Sequence, residues 1–180
     1  SYYELTEGLL KQFRSIAPDL FNEIDTLTDG TGNEVTVYVK FVSDRDMQHG
    51  ASGTTNIAHH ENDRNIYTSE YGPFTVSIKI ASVNKALLLL AHEFGHAKYQ
   101  VPNLATYLVY YSAYYQSGTF RSSYIGHNSN DASGRQALIF ENAFRERYSE
   151  FLKTTTERPG SPIALLQEIR KSIDLGSKSL

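Results

Sequence analysis

The segment HEFGH, residues 92 to 96, has the residue types and the spacing of a hydrolytic metal site. Residues four apart on a helix lie on one face, with Cβ atoms about 5–6 Å apart. His92 and His96 can therefore direct two imidazoles at one tetrahedral zinc ion. Glu93 lies one step round the helix, where its carboxylate can reach a metal-bound water without binding the metal. Because zinc lowers the pKa of its water to about 7, this carboxylate suffices as a general base.

The same motif could arise by accident, and the sequence before it bears on the choice. Leu87 to Leu90 and Ala91 point all round a helix, which predicts that this helix is buried. Burying imidazoles and a carboxylate without partners costs several kcal/mol, and a metal ion would supply the partner. Gly95 permits the close approach either of another helix or of a metal-bound substrate. The metal site is the preferred interpretation, and a structural protein with an accidental motif is an alternative.

A third ligand has to come from downstream, where one glutamate lies on an apolar face. A helix is predicted from Ser133 to about Thr155. Its apolar stripe consists of Ala137, Phe140, Phe144, Tyr148 and Phe151. Glu141 lies within this stripe, and a buried carboxylate must be neutral, paired or bound to a cation. Glu141 is therefore the predicted third zinc ligand. The alternative is a simple ion pair with Arg145, which could also orient a ligating Glu141.

Other side chains near this helix are candidates for further roles. His127 lies in a glycine- and serine-rich loop, where it could be a surface residue, a ligand or a hydrogen-bond donor to the transition state. Asp131 or Ser133 is expected to cap the helix. Tyr148 shares the face of Glu141 and could stabilise an oxyanion, although packing is the expected role of most of the 13 tyrosines.

The elements that position these groups follow from hydrophobic periodicity. The first thirty residues predict two helices, with Pro18 in the first turn of the second. Alternating apolar residues predict strands over 35–41 and 74–80, and shorter strands over 55–59 and 65–68. A helix from about Ser82 to Val101, capped by Ser82 or Asn84, carries the motif. Later helices are predicted over 103–116, 133–155 and from 161 onwards.

This order of elements predicts an α+β fold, with a small mixed or antiparallel sheet packed on the buried motif helix. At 180 residues the chain fits one domain, sheet-containing over about 1–101 and mostly helical over about 102–180. The absence of cysteine excludes thiolate metal sites and disulfides. A net charge of −3 without a basic stripe argues against nucleic-acid binding. The longest apolar run, Ala86 to Ala91, is too short to span a membrane.

HEFGH on a buried helix resembles the zincin superfamily of zinc metallopeptidases. A glutamate from a later helix as third ligand resembles the gluzincin branch of that superfamily. The resemblance implies that His92, His96 and Glu141 bind Zn²⁺, and that Glu93 is general base and proton shuttle. The implied activity is hydrolysis of a peptide or protein substrate, most simply as an endopeptidase. The alternative function is a non-catalytic binding module derived from a zincin, which the intact Glu93 disfavours.

Two details refine this resemblance. Tyr99 and Pro102 stand where the metzincin pattern has glycine and histidine, so that branch is excluded. The stretch GHNSNDASGRQALIFENAFR also resembles bacterial metallopeptidases associated with effectors and toxins, which favours a secreted or extracytoplasmic location. In zincins the strand before the active helix is often a sheet edge that substrates extend. Strand 74–80 is accordingly predicted at an edge, with an internal strand as the alternative.

Overall fold

The computed structural model describes residues 1–30, 32, 34–47, 51–59, 74–103 and 132–154. Within these ranges the chain forms four α-helices and one three-stranded mixed sheet, which confirms the α+β class. The helices are α1 (Tyr2–Ile16), α2 (Pro18–Asp25), α3 (Ala86–Gln100) and α4 (Ala132–Thr154), and the strands are β1 (Thr36–Phe41), β2 (Gly53–His59) and β3 (Phe74–Ile80). None of the described helices is both long and apolar enough to cross a membrane. The predicted strand over 65–68 and the helices over 103–116 and from 161 lie outside the described residues.

The two N-terminal helices form as predicted and contribute an aromatic side chain to the centre of the core. A capping box starts α1, because the Ser1 hydroxyl accepts from the Glu4 amide while the Glu4 carboxylate accepts from the terminal ammonium. The ring of Phe13 stacks on Phe144 of α4 at a centroid distance of 4.6 Å. It also meets Phe94 of α3 edge to face at 5.1 Å. Three helices therefore share one aromatic cluster.

The sheet has the strand order β1-β3-β2, with β3 in the centre. β1 runs parallel to β3, with Val37 beside Val76, and β2 runs antiparallel, with Thr55 beside Ile78. The prediction that β3 is an edge strand is therefore wrong. Alternation of apolar and polar residues reports which face of a strand is buried, and carries no information on whether its two edges are paired. Within the described sheet, the strand at the edge nearest the motif helix is β2.

The motif helix is buried as predicted, but it begins later than predicted. The first residue of α3 is Ala86, and Lys85 stands at the N-cap position without a capping side chain. A backbone hydrogen bond from the Ala86 amide to the Val83 carbonyl closes the preceding turn. The predicted caps Ser82 and Asn84 are therefore wrong, because the N-cap position is Lys85 and Asn84 lies within the preceding turn.

The most extensive helix packing in the described chain is between α3 and α4, and Gly95 lies at their contact. A Cβ added at Gly95 would lie 2.5 Å from the Cα of Ala137 and 2.8 Å from the carbonyl oxygen of Gln136. Such distances leave no space for a side chain, so Gly95 serves helix packing. Since α4 begins at Ala132, Ser133 lies inside its first turn and does not cap it. Its hydroxyl instead faces α3.

Candidate metal centre

The imidazoles of the motif converge through one nitrogen each. Nε2 of His92 and Nε2 of His96 are 3.2 Å apart, and the two rings meet edge to face. Two nitrogens bound to one tetrahedral zinc at 2.0–2.1 Å would be about 3.3 Å apart. The observed separation of 3.2 Å is close to this distance. In the absence of an ion, it also fits an N–H···N hydrogen bond.

Each ring is held through its other nitrogen by a side chain of α4. Nδ1 of His92 lies 3.2 Å from Oε2 of Glu141, and Nδ1 of His96 lies 2.7 Å from Oγ of Ser133. A partner on Nδ1 fixes the orientation of the ring and presents Nε2, as is usual for metal-binding histidines. His96 and Ser133 are buried, whereas the side chain of His92 is 15% exposed and borders a cavity.

Both carboxylate oxygens of Glu141 are engaged. Oε2 bonds to His92, and Oε1 accepts a hydrogen bond of 3.0 Å from Nη2 of Arg145. The ion pair between Glu141 and Arg145, which was the alternative interpretation in the sequence analysis, is therefore present. The carboxylate bonds the ring nitrogen of His92 that faces away from His96. Within the described ranges, no three side chains of histidine, cysteine, aspartate or glutamate are arranged to hold an ion. The role of Glu141 as third ligand stays a prediction.

The Glu93 carboxylate is buried, at 3% exposure, and is held by β2. The hydroxyl of Thr55 donates a hydrogen bond to Oε2. Burial raises the pKa of Glu93, while the bond from Thr55 and the proximity of His92 partly offset this rise. A Cβ added at Gly53 would lie 3.0 Å from Oε1, so the glycine leaves space for this oxygen. A raised pKa and a cavity beside the carboxylate are features of general bases.

Thr55 and Gly53 are site residues that the sequence does not single out. They are separated from Glu93 by about forty positions along the chain, and neither belongs to a motif with recognisable spacing. Only the antiparallel pairing of β2 with β3 brings them to the motif helix.

A cavity of about 590 Å³ opens beside these groups. Residues 51–53 before and at the start of β2 form one wall, Leu88 and Leu89 of α3 form an apolar wall, and Lys85 and Arg145 are cationic. His92, Glu93 and Glu141 complete the lining. This volume lies within the range of small-molecule pockets, about 300–1,000 Å³. The cavity can therefore admit a group of side-chain size next to Glu93.

The remaining predicted site residues either lie away from the motif or are not among the described residues. Tyr148 stacks on Phe144 at a centroid distance of 5.9 Å and packs against the hydrophobic core. It lies two turns, or about 10 Å, along α4 from Glu141. This placement favours packing over an oxyanion role for Tyr148. His127 and Asp131 are not among the described residues.

Comparison of the chain with protein-family models, with curated proteins and with solved structures finds no match in any of the three. The assignment of a function depends on the geometry and chemistry of the site.

Proposed function

We propose that this chain is a zinc-dependent peptidase of the zincin type, most simply an endopeptidase. His92 and His96 hold the ion in this proposal, and Glu93 is the general base. The observation that supports it most strongly is the 3.2 Å separation of the two Nε2 atoms. On the same helix, the intervening residue Glu93 borders the cavity with a buried carboxylate.

The donor set suits zinc better than the harder divalent ions. Imidazole nitrogens favour zinc and the later transition metals, whereas magnesium and calcium favour oxygen ligands. Both rings have a partner on Nδ1, which makes Nε2 available for an ion. A bound zinc ion would supply the positive charge that polarises a substrate carbonyl and makes a water acidic near neutral pH.

Proton transfer is the task of Glu93. Thr55 holds Oε2, so Oε1, which faces Gly53, is the oxygen available to accept a proton from the attacking water. Once it has taken this proton, the carboxyl group of Glu93 can donate it to the leaving amine. One side chain thus acts first as base and then as acid.

The position of β2 suggests where a peptide would bind. The resemblance to zincins calls for an edge strand beside the active helix, and β2 has this position in the described sheet. Its residue Thr55 touches Glu93, and its start at Gly53 borders the cavity. A substrate strand added along β2 would bring a scissile bond past Glu93 with one side chain in the cavity.

Glu93→Gln tests the proposal, because it keeps the shape of the side chain and removes the base. Wild-type protein purified without chelator should contain stoichiometric zinc and cleave members of a proteome-derived peptide library. Glu93→Gln should contain the same zinc and lose activity by about 10²–10⁴-fold, the usual contribution of a general base. Glu146→Gln, an exposed glutamate of α4, is the matched control and should leave both unchanged.

Each other outcome has a defined meaning. Full activity of Glu93→Gln would refute its assigned role. Zinc binding by the wild type without cleavage of any library peptide would favour the binding module. Absence of stoichiometric zinc from the wild type would refute the proposed function itself.

A further inference from the structure

A chain of buried hydrogen bonds extends from His96 away from the cavity. Nε2 of Gln100 donates to Oγ of Ser133 at 3.0 Å, and the same oxygen lies 2.7 Å from Nδ1 of His96. The three residues are 5%, 1% and 5% exposed, respectively. On the other side of His96, the contacts continue through His92 to Glu141 at 3.2 Å each. Five side chains from two helices therefore form one continuous chain.

The chemistry of its two ends sets the direction of every hydrogen bond when no ion is bound. Glu141 as a carboxylate can only accept, so Nδ1 of a neutral His92 carries the proton and its Nε2 accepts. Nε2 of His96 must then carry a proton, which leaves its Nδ1 as an acceptor. The Ser133 hydroxyl donates to that nitrogen and accepts from the Gln100 amide. All donors in the chain then point from Gln100 towards Glu141.

A zinc ion at the two Nε2 atoms would require one change in this arrangement. His92 already offers a lone pair on Nε2, but the proton of His96 must move from Nε2 to Nδ1. Nδ1 then donates to the oxygen of Ser133, and the hydroxyl proton turns away. The two imidazoles neither gain nor lose a proton overall. A serine hydroxyl serves both states because it donates and accepts, whereas a carboxylate or a backbone carbonyl only accepts.

We propose that Ser133, held in place by Gln100, is a positioning residue that pairs His96 in both the zinc-free and the zinc-bound state. This inference rests on the proposed function for the identity of the ion. In this proposal, Ser133 controls zinc affinity because it pairs with Nδ1 of His96 in either tautomer. Gln100 contributes indirectly, since its amide bonds only the serine oxygen among these groups.

Zinc affinity, measured by competition with a chromogenic chelator on the full chain, tests the inference without reference to activity. Ser133→Ala should weaken binding by about 10–100-fold, the usual effect of removing the partner of a metal-binding histidine. Gln100→Met should weaken it several-fold. Because Gln100 acts through Ser133, adding Gln100→Met to Ser133→Ala should cause no further loss. Equal affinity of Ser133→Ala and the wild type would overturn the inference, as would full additivity of the two changes.

Gln12→Met provides a matched control for Gln100→Met. Gln12 and Gln100 are both buried, and in each the side-chain Oε1 has no hydrogen-bond partner among the described residues. Replacing either by methionine removes this buried oxygen together with the side-chain amide, so the two effects oppose each other and thermal stability should change little in either variant. Only Gln100→Met should change zinc affinity. A purely structural role for Gln100 predicts wild-type affinity in both variants.

Nitrogen-15 NMR of the histidine side chains provides a second readout that needs no variant. In the zinc-free protein, His96 should carry its proton on Nε2, and zinc should shift it to Nδ1. Protonation at Nδ1 in both states would overturn the inference and leave the proposed function intact. Failure of the wild type to bind zinc would refute both, so the two failures are distinguishable.

Discussion

At the scale of single residues, the two histidines differ in the atom that meets Nδ1. His96 meets a hydroxyl, which can donate or accept, whereas His92 meets the carboxylate of Glu141, which can only accept. The carboxylate is in turn oriented by Arg145. A carboxylate that accepts a hydrogen bond from a metal-binding histidine raises the basicity of that imidazole and fixes the orientation of the ring. The geometry therefore favours Glu141 as the partner of His92.

Glu141→Gln distinguishes this role from that of a direct ligand. The amide oxygen can still accept from Nδ1 of His92, so we expect zinc to bind with an affinity reduced by about 10–100-fold. Loss of an anionic ligand would instead abolish stoichiometric binding. Zinc content after dialysis and chelator competition measure the difference. Glu146→Gln, exposed on the same helix, should bind zinc as the wild type does.

At the scale of elements, the site is a product of the contact between α3 and α4. α3 carries both histidines and Glu93, while α4 carries Ser133 and Glu141, which hold the imidazoles. Gly95 lies next to His96 and packs directly against the backbone of α4. The distance between the helices therefore controls both hydrogen bonds to the imidazoles.

Gly95→Ala tests this dependence on helix separation. In an exposed helix this change would stabilise the protein by up to about 1 kcal/mol. Here the new Cβ would lie 2.5 Å from the Cα of Ala137, so we expect a loss of about 1–3 kcal/mol from overpacking. Zinc affinity should fall as well, because Ser133 and Glu141 move away from the histidines. Denaturant unfolding and chelator competition measure the two effects.

A graded series makes this test sharper. Gly95→Ser adds one more atom than alanine, so it should cause the larger loss of stability. If Gly95→Ala melts at a higher temperature than the wild type, the contact at Gly95 does not limit how closely α3 and α4 pack.

At the scale of the whole molecule, the hydrophobic core contains none of the proposed metal ligands. Buried residues of α1, α2, β3, α3 and α4 belong to one cluster, and the stacked rings of Phe13 and Phe144 lie within it. Val76, Ile78 and Ile80 of the central strand are completely buried. These apolar contacts involve none of the proposed ligands. The fold should therefore not depend on an ion, unlike small domains that fold only around zinc.

Removal of zinc should accordingly leave the chain folded but less stable. We expect chelator-treated protein to keep its far-ultraviolet circular dichroism and to unfold in one cooperative transition. Zinc at about one hundred times its dissociation constant should add about 2.7 kcal/mol to the free energy of unfolding and raise the melting temperature. His96→Ala should lose this shift, and magnesium should not produce it. Unfolding on addition of chelator would contradict this expectation.

The sequence by itself determined the elements and the motif because both depend on local spacing. Periods of two and 3.6 residues predicted β1, β3 and the buried helix α3, and Pro18 marked the start of α2. A four-residue spacing on a helix necessarily places His92 and His96 on one face. The apolar stripe around Glu141 likewise predicted that α4 presents this carboxylate to the interior.

Only the tertiary structure decided how these elements meet. Pairing of β3 on both edges, the contact of Thr55 with Glu93 and the bond from Ser133 to His96 all join residues far apart in the chain. No local pattern specifies them, since they depend on the packing of whole helices and strands against each other. The orientation of Glu141 towards Nδ1 of His92 is of the same kind. Local periodicity identifies which face of a helix is buried, while the approach of α4 to α3 determines which atom each buried side chain meets.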